Sequence, residues 1–99
     1  MPIPDYQSIM LPLLKQISDG QVHKFAEVKE NLAREFELTP QERRELLPSG
    51  RQTIFDNRVG WARTYLKKAN LLHYPQRGEL KINERGQRVL KEKPDKINI

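Results

Sequence analysis

The residues best suited to chemistry lie on one side of a predicted amphipathic helix, residues 53–69. At about 100° per residue, the side opposite the apolar positions collects amide, hydroxyl and ammonium groups and one glycine. These residues are Asn57, Gly60, Thr64, Lys67 and Lys68. Arg63 lies at one margin of this side, and Arg58 and Trp61 lie towards the other. Asn and Arg can contact base edges through two hydrogen bonds, and Lys reaches phosphates. This side therefore predicts contact with a groove of duplex DNA.

Three neighbouring features bear on this prediction. Gly60 costs roughly 1 kcal/mol against Ala inside a helix, so its outward position indicates close approach by a ligand, or else a glycine that the fold tolerates. Arg51 and Gln52 precede the helix, where the dipole favours anions, and we expect them to reach phosphates. Trp61 has two interpretations, cover for the edge of the core or stacking on the ligand. We prefer the first, because aromatic residues usually pack.

The charge of the chain is divided unevenly along its length. Residues 1–50 carry six Lys or Arg and eight Asp or Glu, whereas residues 51–99 carry twelve and five. Such an asymmetry predicts a polyanionic partner for the C-terminal half. The alternative is a solvated basic surface that serves solubility alone.

The composition limits the chain to one small domain. With 99 residues, of which 36% are hydrophobic and 31% charged, it can bury one core and no more. It has no Cys, so disulfides and thiolate metal sites are excluded. No apolar run approaches the length of a membrane span, and no signal-peptide pattern opens the chain. We expect a cytoplasmic protein with no membrane partner.

Apolar spacing and capping residues predict the elements of the N-terminal half. A first helix is capped by Asp5 and ended by Gly20. Pro12 lies inside it and predicts a kink, or a helix that starts at Leu11. Residues 21–24 form a polar connection with room for a one-pair strand. The apolar positions of a second helix are Phe25, Val28, Leu32, Ala33 and Phe36.

Turn and capping signals predict the elements that surround the basic helix. Residues 39–42 form a capping box with Pro at the first helical position, which begins a short third helix to about Leu46. The basic helix follows and runs to Ala69, and Asn70 closes it. Its predicted buried side consists of Phe55, Val59, Ala62, Leu66 and Ala69.

A hairpin and a last helix complete the predicted domain. Short strands at residues 71–74 and 80–82 are joined by a turn that contains Arg77, and Asn83 caps the final helix. This element order is that of a winged helix-turn-helix, mainly α with a small β-hairpin, in which one helix enters the major groove. Arg77 and Lys81 belong to the wing and are expected to contact phosphate or the minor groove. We assign residues 1–91 to this domain and residues 92–99 to a tail or the start of a linker.

The order of residues in the central region resembles the N-terminal domain of Mrr-type restriction proteins. The resemblance is carried by Leu47–Gln52 (LPSGRQ) and Phe55–Ala69 (FDNRVGWARTYLKKA), with Pro2–Gln7 (PIPDYQ) and Ile82–Gly86 (INERG) outside them. It implies a winged-helix domain that binds DNA and is attached to a C-terminal nuclease in systems that attack methylated DNA. The nuclease is absent from this chain, so either an excised domain or a free-standing relative is expected.

The nucleases of that family use a metal site of two acids and a lysine, which raises one catalytic hypothesis. Glu79 and Lys81 match its Glu-x-Lys part, and Asp56 could be the upstream acid. We reject this site, because such matches are common in a highly charged chain and a hairpin lacks the central sheet that positions the ligands. The two histidines are far apart and no nucleophile motif or phosphate loop is present. We predict no catalytic residue, no metal and no cofactor.

Two alternatives to a restriction-associated DNA-recognition domain stay open. One is a stand-alone winged-helix transcriptional regulator with ordinary operator sites. The other is a protein-interaction or dimerisation module that uses the side of the basic helix with Trp61 and Tyr65. The predicted partners are thus double-stranded DNA, a second copy of the chain, and a C-terminal nuclease domain in the full-length protein.

Overall fold

The computed structural model describes residues 3–97, which contain five helices and three short strands. The elements are α1 (Tyr6–Gln16), β1 (His23–Lys24), α2 (Phe25–Glu35), α3 (Pro40–Arg44), α4 (Ile54–Lys68), β2 (Leu72–His73), β3 (Glu79–Ile82) and α5 (Glu84–Lys91). The strands form one antiparallel sheet in the order β1-β3-β2. This arrangement is compatible with a winged helix and confirms the predicted fold class. The outermost residues of the predicted domain and tail, 1–2 and 98–99, lie outside the described residues.

Helix α1 begins at Tyr6, so the alternative start at Leu11 is wrong. The Asp5 carboxylate accepts a hydrogen bond from the Ser8 backbone N–H at 2.8 Å and caps the first turn. Pro12 is contained within the helix, at a cost of about 3 kcal/mol. Burial of a large apolar side chain contributes roughly 1.5–3 kcal/mol, and five of them outweigh that cost. These are Ile9, Met10, Leu11, Leu13 and Leu14.

Apolar side chains from the helices and the sheet meet in one core. Helix α4 contributes four of the five residues of its predicted stripe, Phe55, Val59, Ala62 and Leu66, all at 0% exposure. The fifth, Ala69, follows the helix and is only half-buried against the core. Helix α2 contributes Val28, Leu32 and Ala33, and β3 contributes Leu80 and Ile82. Beyond α5, Ile97 is also buried in this cluster, so this residue of the predicted tail packs on the domain.

The connections on either side of α4 set its position along the chain. Helix α3 ends at Arg44 rather than near Leu46, because Glu45 is extended and Leu46 pairs with Thr53 in an isolated bridge. The chain therefore enters α4 from a small hairpin-like loop. At the other end Asn70 adopts a left-handed φ of 61°, as its predicted role in closing the helix requires.

Substitution of the two helical glycines by alanine should change the stability of the domain in opposite directions. A Cβ on Gly86 would lie 2.2 Å from the Leu71 carbonyl oxygen and 2.6 Å from Ile82 Cγ1, whereas a Cβ on Gly60 meets nothing within 4 Å. We expect Gly86→Ala to lower the free energy of unfolding by roughly 2–3 kcal/mol, because backbone and core must move. Gly60→Ala is the matched control and should raise it by up to about 1 kcal/mol through helix propensity. Urea denaturation measures both, and a tolerated Gly86→Ala would contradict the packing described here.

Candidate nucleic-acid interface

Capping interactions and the buried stripe together fix α4. The Thr53 hydroxyl accepts a hydrogen bond from the Asp56 backbone N–H at 3.1 Å, which satisfies one free donor of the first turn. Lys67 and Lys68 lie in the last turn, where cations are favourable for the helix dipole. Because the predicted stripe is the buried one, the predicted polar side of α4 is the one that faces outwards.

This outward side is rich in cations and free of acids. Lys67 and Lys68 are exposed, while Asn57, Gly60 and Thr64 are half-buried. The open space around Gly60 shows that no neighbour within the domain requires a glycine there. Residues 57–78, which run from α4 through the turn of the wing, contain five Lys or Arg and no Asp or Glu. Such a surface complements a polyanion.

The amide of Asn57 is held by the loop that precedes α4. Its Nδ2 donates a hydrogen bond to Gln52 Oε1 at 3.3 Å. Gln52 is exposed, as is Arg51, for which the described residues record no side-chain hydrogen bond or ion pair. The loop therefore presents two polar side chains beside the first turn of α4 and orients a third.

Thr64 is partly engaged by its own helix. Its hydroxyl donates a hydrogen bond to the Gly60 carbonyl at 2.9 Å. The hydroxyl oxygen can still accept a hydrogen bond, and the methyl group can make an apolar contact. Thr64 thus suits a donor or a methyl group on the ligand better than an acceptor.

Arg58 is directed to the N-terminal segment. Its Nη1 donates to the carbonyl oxygens of Ile3 at 2.7 Å and Pro4 at 3.4 Å. The pKa of the Asp5 carboxyl lies below its usual value, chiefly because the Ser8 backbone N–H donates to it, and the charge of Arg58 lowers it further. These contacts favour a positioning role for Arg58 at the margin of the predicted site.

Arg63 lies between two aromatic rings at the opposite margin. Its guanidinium carbon is 4.0 Å from the centroid of Phe25 and 5.3 Å from that of Tyr74. Its Nε is buried without a hydrogen-bond partner among the described residues. A planar guanidinium stacks well on aromatic faces. Arg63 therefore joins α4 to α2 and to the segment that connects β2 to β3.

The wing carries two further basic side chains. Arg77 is exposed in the turn between β2 and β3, and Lys81 is half-buried on β3 opposite His73. Lys67 Nζ lies 4.8 Å from the ring centroid of Tyr74. Burial raises the pKa of the Tyr74 phenol, and the charge of Arg63 acts in the opposite direction.

Sequence reasoning missed the contribution of α2. Lys29 Nζ lies 3.5 Å from Asp56 Oδ2 and 5.3 Å from the ring centroid of Phe25. The acid proposed as an upstream metal ligand thus belongs to an ion pair. Groups of three or more His, Cys, Asp or Glu that could hold a metal are absent from residues 3–97. No local spacing could have indicated Lys29, since its partners lie on other elements.

Trp61 is more exposed than expected for a residue that only covers the edge of the core. Its exposed fraction is 48%, and its indole is tilted against the Tyr65 ring, with centroids 6.0 Å apart. Tyr65 is half-buried and stacks in turn on Tyr6. The indole is therefore packed against Tyr65 and keeps about half of its surface exposed.

The model of the Mrr N-terminal domain matches residues 6–92, almost all of the described chain. The chain belongs to the Mrr N-terminal domain family. The match confirms the predicted resemblance and associates this Mrr N-terminal domain with restriction systems. Searches of curated proteins and of solved structures return no match.

The family match bears on catalysis as well. The matched model is that of the N-terminal domain and not of the catalytic nuclease domain.

Within residues 3–97 of this Mrr N-terminal domain, no helix is both long and apolar enough to cross a membrane.

Because Arg58 has protein contacts, its substitution should destabilise the domain more than substitution of an exposed arginine. Arg58→Met should lower the free energy of unfolding by about 1–3 kcal/mol, because it removes charged hydrogen bonds to two carbonyl groups. Arg51→Met is the matched control and should change it by less than about 0.5 kcal/mol. Urea denaturation followed by circular dichroism measures both. Equal small effects would show that Arg58 does not fix the N-terminal segment.

Proposed function

We propose that this domain binds duplex DNA, with the outward side of α4 in the major groove and the β2–β3 wing on the flanking backbone. The observation that carries the proposal is the acid-free run of residues 57–78, which joins the outward side of α4 to the wing. DNA presents closely spaced phosphates, and a helix flanked by a hairpin fits a groove and its backbone.

The proposed roles follow from how each side chain is held. The candidates for contacts to base edges are Asn57, which is held by Gln52, and Thr64, which carries a hydroxyl and a methyl group. Gly60 leaves space for close approach of the DNA. Contacts to phosphates are assigned to Arg51, Gln52, Lys67, Lys68, Arg77 and Lys81. Arg58 and Arg63, which have protein partners, position the surface.

The biological setting of this binding is proposed from the family. A restriction-associated N-terminal domain suits the recognition part of a protein whose nuclease lies in another domain. Methylated bases are the proposed targets, and a stand-alone regulator of transcription is the alternative. These finer assignments depend on the family association and not on any side chain described here.

Binding through phosphates predicts a steep dependence on salt. With about four to six phosphates contacted, log affinity should fall with log salt concentration at a slope of about −4 to −5. Lys67→Gln should weaken binding to all duplexes and reduce the slope by about one. Lys15→Gln removes a charge that lines the cavity between α1 and the C-terminal segment, and it should leave the slope unchanged. Fluorescence anisotropy at several salt concentrations measures this, and a flat response would overturn groove binding.

Contact with base edges predicts that Asn57 affects sequence preference. Asn57→Ala should change the ranking of duplexes of different sequence by roughly 1–3 kcal/mol at the affected position, because a bidentate contact is lost. Lys67→Gln is the comparison, since loss of a phosphate contact weakens all sequences alike. Competition binding on a panel of duplexes measures the ranking. If the two variants behave alike, Asn57 does not read bases.

The same panel tests the proposed target. It includes duplexes that differ only in base methylation, measured at the salt concentrations used above. Tighter binding to the methylated member supports a modification-dependent recognition domain. Equal binding, with a preferred sequence retained, supports the stand-alone regulator instead.

A further inference from the structure

Three aromatic rings form a column along one margin of α4. Tyr6 and Tyr65 are stacked, with centroids 5.0 Å apart and ring planes inclined by 22°. Tyr65 and Trp61 follow at 6.0 Å and 34°. Tyr6 and Tyr65 are half-buried, whereas the exposed fraction of Trp61 is 48%. The indole is thus the end of the column that is more open to solvent.

The domain holds this column in place before any ligand arrives. Arg58 binds the carbonyl groups of Ile3 and Pro4, which are separated from Tyr6 by Asp5 alone. The Asp5 cap then fixes the start of α1. A contact surface that is already ordered loses little conformational entropy on binding.

The surroundings of the open end suit a nucleic acid. On α4, Trp61 lies four residues after Asn57 and seven before Lys68, so all three lie on or near the outward side. Lys68 Nζ is 5.9 Å from the Tyr65 centroid. The run of residues 57–78 has no carboxylate, which disfavours a cationic partner. A planar ring on a negatively charged backbone matches both the indole and its cationic surroundings.

A paired base cannot offer that ring. Inside a duplex both faces of each base are covered by its neighbours, and only the edges reach the grooves. A base must leave the stack before its face can meet a side chain. An indole that extends an aromatic column therefore fits an extrahelical base.

We propose that Trp61 receives an unpaired nucleobase on its exposed face, so that the domain prefers duplex DNA with one extrahelical base over fully paired DNA. This inference rests on the proposed binding of duplex DNA. It adds a stacking site beside the groove-reading side chains and assigns Trp61 to it.

The experiment compares three duplexes of the same flanking sequence. One is fully paired, one has a single unpaired adenine, and one has an unpaired abasic residue at the same place. The abasic duplex keeps the bend and flexibility of the bulge but lacks the ring. We expect the adenine duplex to bind about tenfold more tightly than the abasic one, the effect of stacking one base on an aromatic side chain.

Trp61 also serves as the reporter, since it is the only Trp in the chain. Selective excitation of its indole should show a change in emission with the adenine duplex and a smaller change with the abasic duplex. This signal comes from the proposed site itself and does not depend on the affinity measured by anisotropy.

Three variants separate stacking from general apolar contact. Trp61→Leu should abolish the preference for adenine over the abasic residue, because it keeps apolar volume but loses the planar ring. Trp61→Phe should retain a part of it. Val22→Ala is the control, since Val22 is an apolar residue at the same 48% exposure and lies outside α4 and the wing turn. It should leave the preference unchanged.

The possible outcomes are distinct. Equal affinity for the adenine and abasic duplexes, with salt-dependent binding of the paired duplex intact, overturns the stacking site and leaves the proposed function standing. Absence of binding to all three duplexes overturns both. If the emission of Trp61 changes with protein concentration alone, and the mass in solution doubles, a second copy of the chain covers the indole and the inference is wrong.

Discussion

The packing of α1 against α4 is the contact on which the rest of the structure depends. The two helices make the most extensive contact between elements of residues 3–97. The side chains that they contribute, such as Leu13 and Val59, are fully buried. Each large apolar side chain contributes roughly 1.5–3 kcal/mol on burial. Rotation of α4 about its axis would expose several of them at once, so the side that faces outwards is fixed by the side that faces the core.

The fold could be predicted because its signals are local. The caps predicted at Asp5 and Asn83 act within three residues, and both form the expected hydrogen bonds. Thr53 caps α4 in the same local way. The capping box that begins α3 is likewise complete within four residues. Helical periodicity then gives the buried stripes of α1, α2 and α4 from spacing alone.

Errors in the prediction arose where tertiary contacts override local pattern. Pro12 favoured a prediction in which α1 starts close to it, at Leu11, but the core contacts of the preceding turn stabilise the helix from Tyr6. Leu46 continues the pattern of α3 but pairs with Thr53 instead. Ile97 follows a charged segment, and it is buried by core residues that are distant in the sequence, so the local pattern does not predict its burial.

The candidate site could be predicted in part, and the division has a physical cause. Which residues of α4 face outwards follows from periodicity, so the positions of Asn57, Gly60 and Thr64 were accessible from the sequence. What their side chains contact was not. Arg58 binds a carbonyl group 55 residues away, and Arg63 packs on rings from α2 and the wing. Those partners meet only after the core has formed.

The partition of basic residues between structure and surface follows their chemistry. Arg58 and Arg63 carry a planar, weakly hydrated guanidinium that can donate to several acceptors or stack on rings, and both are half-buried against protein groups. Lys67 and Lys68 carry compact, strongly hydrated ammonium groups, and both stay exposed. In a chain with only 36% hydrophobic residues, arginine stems and aromatic rings extend the packed region beyond the aliphatic core. The net charge of residues 57–78 therefore overstates the cations free for a ligand, because the guanidinium groups of Arg58 and Arg63 are half-buried against protein groups.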